Sequence, residues 1–325
     1  MMRALITGGG GFIGGHLIRA LLDHGDEVRA ADIRPLGEWK QVHPDADNRD
    51  RCDLSQRGSA QRAADGCDVI YHLAADSGGM GYISYHHADC MLNILADATM
   101  ARAAYVAGAR IYFASSSCAY PLHIQVSPDT PPLREDDLAA NAIDPEQGYG
   151  WEKLFAEKLF LAFAEDFGLE VRIGRYFSVY GPAGWYRGGR EKAPTALCRK
   201  VAVAKLTGAA EIEVWGDGTA RRTFTYVDDA VAATLAITAG DYGQPLNVGC
   251  PKTSSIDELV SVIEDIAGYR VGRKYTDGPV GVGGRPSDDS RIAAEVGWKP
   301  QVSFREGMER TYAWTFDQVK AELHA

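Results

Sequence analysis

The sequence predicts an α/β fold, a doubly wound parallel sheet with a smaller C-terminal lobe that binds the substrate. Three observations carry that expectation. The run "RALIT" passes through a glycine cluster into "FIGGHLIRALLDH", apolar at helical spacing, and then into "EVRAADI", which together make one βαβ unit. Short apolar runs recur at "DVIYHLAA", "RIYFASS", "EVRIGRYFSVYG" and "QPLNVGC", with helical stretches between the first three. After Gly181 the texture changes to "PAGWYRGGREKAP", where glycines and basic residues concentrate.

The expected division follows from that change. Residues 1–180, joined by about 222–250, form the first domain. Residues 181–221 and 251–325 form the smaller lobe, and the crossing of the chain between them leaves a cleft, the usual place for a ligand. At 325 residues, with 46% apolar and 24% charged side chains, the composition is that of a soluble globular protein. A formal charge of -10 argues against nucleic acid and anionic membrane as partners, while a small anionic metabolite remains compatible with local Arg and Lys clusters. The six cysteines show no C-x-x-C pair and suit reduced thiols in a cytoplasm. The apolar part of "MMRALITGGGGF" is too short for a signal sequence, and no stretch approaches the roughly 18 apolar residues of a membrane span.

Taken in order, the first βαβ unit holds the strongest motif. Gly8, Gly11 and Gly14 give G-x-x-G-x-x-G around Phe12 and Ile13, so that an anion can approach the unpaired N–H groups of a helix N-terminus. Asp32, eighteen residues past Gly14, ends the second strand, where a carboxylate accepts hydrogen bonds from ribose hydroxyls and repels a 2′-phosphate. Together they predict a Rossmann-type domain holding NAD. Arg34, two residues on, suits a 2′-phosphate and keeps NADP as the alternative.

Further along, Tyr149 and Lys153 stand four apart at the start of a helical run and so share one face. A lysine there lowers a phenol's pKa from about 10, which lets tyrosinate take a hydroxyl proton near neutrality. Adjacent His86 and His87 diverge by about 100° on a helix, and no metal site is expected from them. The stretch "YGWEKLFAEKLFLAFAEDFG" is apolar on more than one face, so one face is expected on the sheet and another against a second copy of the chain.

With "TGGGGFIGG", "CDLS", "HLAA", the serine run before "YP", "YGWEK" and "YGP", the sequence resembles the extended short-chain dehydrogenase/reductase superfamily over nearly its whole length. The set "AADSGGMGYI", "ASSSCAYP", "GGREKAP", "VWGDGTARRTFTYVDD" and "GRPSDDSRI" is similar, more narrowly, to epimerases of GDP-linked hexoses in that superfamily. The resemblance implies a nucleotide-sugar epimerase, a homodimer that pairs the Tyr149 helix with the one around residues 87–107, and a reaction through a transient 4-keto sugar. Ser116, Tyr149 and Lys153 would serve oxidation at C4. Cys118 and Lys192 would move protons at C3 or C5. Asp53, Leu54 and Leu73 would line the dinucleotide, and Gly78, Met80, Ser117 and Ser178 the sugar. Lys200, Arg222 and Arg285 are candidates for the charged groups of the sugar nucleotide, since guanidinium forks match diphosphate oxygens.

A thiol of free pKa about 8.5 suits either acid or base work near neutrality, and Arg187 and Arg190 are expected to lower the Lys192 amine from about 10.4. Two departures put the sugar in question. Ser178 stands where the family usually has Asn, and Ser117 where the epimerases have a smaller residue. A related hexose, inversion at one carbon, a 4,6-dehydratase and a non-catalytic NAD-binding scaffold are the rival readings. The dehydratase is disfavoured because Ser117 and Cys118 replace its carboxylates.

Overall fold

The computed structural model describes residues 2–324. Six strands, β1 (Arg3–Thr7), β2 (Glu27–Ala31), β3 (Asp47–Arg49), β4 (Val69–His72), β5 (Arg110–Ser116) and β6 (Val171–Tyr176), join the strand Leu246–Val248 in one sheet. Its order from edge to edge is Leu246–Val248, β6, β5, β4, β1, β2, β3, and every pairing is parallel. This is the doubly wound α/β architecture that the first βαβ unit predicts. The short strand β3 has no apolar run to announce it, because a three-residue edge strand buries little.

Alternation along the strands feeds two cores. Ala4, Ile6, Tyr71 and Tyr112 face one side with Leu17, Ile18 and Leu21 of helix α1 (Phe12–His24). Leu5, Ile70, Ile111 and Phe113 face the other, with Ala101, Ala104 and Phe160. Helix α1 ends at Gly25, whose φ of 92° lets its N–H reach back to the Leu21 and Leu22 carbonyls.

Register sets the site. Thr7 pairs with both Ala31 and His72, and Ser116 pairs with Tyr176, so the carboxyl ends of β1, β2, β4, β5 and β6 open on one edge of the sheet. The strand order reverses beside β1, which is where such sheets bind ligands.

Beyond Gly181, the helix Ala193–Thr207 packs on the helices Ile256–Ala267 and Phe304–His324. Strand Glu211–Trp215 pairs with Gly272–Thr276, and Arg221–Thr223 lies between Thr253–Ser255 and Gly284–Arg285. Ser255 and Glu258 close a reciprocal capping box on the Ile256 helix. Among the described residues, no helix is long and apolar enough to cross a membrane.

Candidate active site

A cleft of ≈ 830 Å³ runs from the glycine loop to the segment 184–195. At one end Gly8, with φ of 69°, turns the chain under α1, and a Cβ on Gly14 would stand 2.3 Å from the Gly8 carbonyl oxygen. The missing side chains let strand and helix approach. Gly11 caps α1 without any side-chain hydrogen bond, which leaves the first N–H groups of the helix facing the cleft, as an anionic pyrophosphate requires. Asp53, Leu54 and Leu73 line the same end.

Asp32 is buried at the end of β2. Its carboxylate accepts from the Gly10 N–H at 3.1 Å and holds Arg34 in a fork, Nε to Oδ1 at 3.0 Å and Nη2 to Oδ2 at 2.9 Å. The guanidinium that suited a 2′-phosphate is thus neutralised by the carboxylate that excludes one. The glycine cradle, the open helix N-terminus and the buried Asp32 all fit a dinucleotide such as NAD.

At the other end stand Ser116, Tyr149 and Lys153, all in the cleft lining. Ser116 ends β5, and its hydroxyl accepts the Cys118 N–H at 3.1 Å, capping the short turn Ser117–Ala119. The Lys153 ammonium is buried 5.7 Å from the centre of the Tyr149 ring and 4.8 Å from that of Phe113. Burial raises the Tyr149 phenol above its usual value in the free protein, and Lys153 opposes that rise without cancelling it. The expectation that Lys153 alone makes tyrosinate near neutrality is therefore corrected.

Cys118 lies beneath this end, packed with Met80, Tyr82, Cys90 and Tyr149. The Arg285 Nη1 donates to its Sγ at 3.3 Å and reaches the Glu146 carboxylate at 2.8 Å, while Arg285 Nε donates to Gln125 at 2.5 Å. Burial pushes the Cys118 thiol up to about 11, Glu146 adding to the rise and Arg285 opposing it. The thiol rests protonated, rather than poised near neutrality.

Arg222 donates to the carbonyls of Arg221, Val280, Val282 and Gly283. Burial, with Arg285 adding, lowers Arg222 to about 10. Arg222 and Arg285 are thus engaged beside the thiol. Lys200 does not line the cleft, since its amine donates to the Glu213 carbonyl at 2.8 Å beside Trp215.

Two glycine-rich segments meet across the cleft. Gly79 N–H donates to the Arg190 carbonyl at 2.9 Å, and a Cβ on Gly79 would stand 2.2 Å from the Glu191 carbonyl oxygen, so only glycine lets "GGMG" lie against "GGREK". This contact sets Gly78 and Lys192 in the lining. Burial lowers the Lys192 amine, with Cys118 opposing. The neighbouring arginines are not the cause, because Arg187 pairs with Glu322 and Arg190 with Asp76. Arg190 also covers the Tyr82 ring, which stacks on His86. Trp185 lines the cleft with the Lys40 amine 3.5 Å above its ring.

Ser178 adopts φ of 34°, a left-handed conformation in which Asn is the better-tolerated side chain. Ser117 is buried. Glu146 and Asp76 escaped the sequence reading. Only Glu146, three residues before Tyr149 and behind a proline, left a local trace.

The model of the NAD dependent epimerase/dehydratase family matches residues 4–249. The GDP-mannose 3,5-epimerase of Arabidopsis thaliana is 36% identical over 323 residues, spanning 99% of this chain and 84% of that protein. A UDP-glucose 4-epimerase from Thermotoga maritima, solved with UDP-glucose, shares the fold at a TM-score of 0.87 and 24% identity, covering 98% of this chain and 100% of that one. MoeE5, solved with UDP-glucuronic acid and NAD, superposes at 0.80 with 29% identity, covering 97% and 99%. With the family model matching residues 4–249 and a curated relative matching nearly the whole length, the chain belongs to the NAD dependent epimerase/dehydratase family.

Proposed function

We propose that the chain is a nucleotide-sugar epimerase acting on GDP-mannose at C3 and C5 through a 4-keto sugar. One observation carries this beyond the family. A thiol at Cys118 and an amine at Lys192 adjoin the Ser116, Tyr149 and Lys153 trio, and oxidation at C4 alone needs neither. When bound, NAD would supply a hydride acceptor and donor for C4.

Ser116 holds the 4-hydroxyl and Tyr149 takes and returns its proton, with the Lys153 charge stabilising the phenolate. A ketone at C4 makes the neighbouring C3 and C5 hydrogens acidic. Lys192, its amine lowered by burial, removes a proton, and the protonated Cys118 thiol returns one from the other side. Arg285 then steadies the thiolate that remains. Arg222, Gly78, Met80, Ser117 and Ser178 belong to the proposed substrate surroundings, and Asp53, Leu54, Leu73 and Arg34 to those of the dinucleotide.

The division at residues 1–180 with 222–250, against 181–221 with 251–325, is part of the same reading. So are a cytoplasmic setting and a two-fold dimer. The dimer is supported by Leu95, Tyr105, Trp151, Phe155 and Phe167, large apolar side chains left exposed on the helices Asn93–Ala107 and Gln147–Phe167. Light scattering at micromolar concentration tests it, and a monomeric mass counts against it.

The reaction is tested with GDP-mannose in deuterated water. Tyr149→Phe should lose both hydride transfer and deuterium entry at C3 and C5. Cys118→Ala should still show transient NADH absorbance while losing about 10² to 10⁴ in exchange. Exchange at wild-type rate in Cys118→Ala would remove the thiol from the mechanism. Loss of 18 mass units, as dehydration gives, would favour the dehydratase.

A further inference from the structure

Behind Lys153 lies a second set of buried groups that the reaction above does not use. The Thr7 hydroxyl accepts the Leu73 and Ala74 N–H groups, each at 3.1 Å, and lies 2.7 Å from His72 Nδ1. With both lone pairs taken, its hydrogen goes to Nδ1. The His72 proton therefore sits on Nε2, which donates to Asp97 Oδ1 at 2.9 Å. The ring is neutral, and burial, with Lys153 next, pulls it down to about 3.

Asp97 comes from the helix Asn93–Ala107 and Glu152 from the helix Gln147–Phe167, and their fully buried carboxyls face each other. Glu152 Oε1 lies 3.3 Å from Lys153 Nζ. Neither Glu152 oxygen nor Asp97 Oδ2 has a hydrogen-bond partner among the described residues.

Counting charge decides the protonation state. His72 contributes none and Lys153 one positive charge, so two carboxylates would leave a net negative charge buried away from the surface. A single proton between the carboxyls makes the cluster neutral and joins two of the three orphaned oxygens in one hydrogen bond. Burial raises both carboxyls, and Asp97 raises Glu152 further. The remaining titratable neighbours are Tyr149 on the same helix and the Cys90 thiol on the helix His87–Met91, which burial, Asp76 and Glu152 push up to about 11.

We infer that Asp97 and Glu152 share one proton and act as the internal acceptor of the Tyr149 proton, with Lys153 as the carrier between them. This rests on the reading of Tyr149 as the group that moves the 4-hydroxyl proton. Lys153 gives an N–H proton to Glu152 and its nitrogen takes the phenol proton. One N–H and one O–H bond break, and one N–H and one O–H bond form. The pair passes from one proton to two, Tyr149 becomes phenolate beside an ammonium, and the net charge does not change. No proton has to reach solvent, which suits a reaction that consumes none.

Asp97 and Glu152 are positioning residues in this scheme, and two measurements test it. Infrared spectra of the purified protein at neutral pH should show a buried carboxylic acid C=O band that shifts in deuterated water and is lost in Asp97→Asn and in Glu152→Gln. With GDP-mannose, wild-type kcat should be level across neutral pH. In Glu152→Gln and in the double variant it should rise about tenfold per pH unit, because tyrosinate must then form by loss to solvent. Glu152→Asp should restore the level profile, whereas damaged packing would lower kcat equally at every pH. A wild-type protein without that band, or variants that keep the wild-type profile, would overturn the inference. A wild-type protein that shows the band yet ignores GDP-mannose would instead overturn the proposed substrate and leave the shared proton standing.

Discussion

Two buried charge networks hang from the same helix, Gln147–Phe167, five residues apart, and they are built on opposite rules. Around Glu157 every group is matched. Arg175 forks onto it at 2.9 and 2.8 Å, Ser115 donates at 2.5 Å, and Arg175 Nη1 reaches the Tyr120 hydroxyl, which donates to Asn247 at 2.6 Å. These bonds tie β5, β6 and the strand Leu246–Val248 to the helix. Around Glu152 the ion pair is longer and three carboxyl oxygens lack partners. A satisfied network fixes one arrangement of the core, whereas an unsatisfied one has room for a proton to change its place.

The contrast predicts a separation of effects, and the largest sits at its extremes. Tyr149→Phe should cost about 10² to 10⁴ in kcat with an unchanged urea midpoint, because the hydroxyl serves chemistry. Arg175→Met should do the reverse, losing about 3–5 kcal/mol of stability as Glu157 is left buried and unpaired, with kcat per folded molecule retained. Equal damage to both quantities in either variant would erase the distinction.

A smaller effect follows from pH. A carboxyl raised in the fold adds stability that is fully present below its unfolded value of about 4.3 and is lost as pH rises through the folded value. The Arg175 guanidinium, raised further by Glu157 against burial, stays charged throughout that window. The wild-type thermal midpoint should therefore fall as pH rises above neutrality, and Asp97→Asn should flatten the fall. Asp289, which burial raises to about 6, contributes equally to both proteins, so the difference between them is the quantity to read. Parallel curves would place no shared proton at Asp97.

The smallest expected effect lies outside both networks. Trp185→Ala removes the ring under Lys40 and should speed loss of bound NAD by about two- to fivefold, the worth of one exposed cation–π contact of about 0.5–1 kcal/mol. Displacement of the bound dinucleotide by excess fluorescent analogue measures the rate. No change would assign the contact to loop packing alone.

These networks also mark how far the sequence could be read. Gly8, Gly11, Gly14 and Asp32 were legible because a phosphate turn and a strand end are local events, and Tyr149 with Lys153 because four residues make one helical turn. Arg190 and Asp76 are 114 residues apart, and His72 and Asp97 belong to a strand and a helix whose contact no spacing encodes. Burial is equally silent in a sequence. It turned the Cys118 thiol from a group poised near neutrality into a proton donor, and it took over the role assigned to arginines beside Lys192. Lys200 looked like a clamp for anions because nothing in its neighbourhood announced the Glu213 carbonyl that occupies it.

The Lys40 and Trp185 contact joins the loop after β2 to the glycine-rich segment that carries Lys192, so it spans the two sides between which a dinucleotide would lie. On the proposed reaction each hydride is returned to the carbon it left, and the cofactor has no errand outside. A dinucleotide kept behind that contact would not sample the surrounding ratio of NADH to NAD. The rate of sugar inversion would then follow the supply of sugar nucleotide and stay blind to the redox state of the cell.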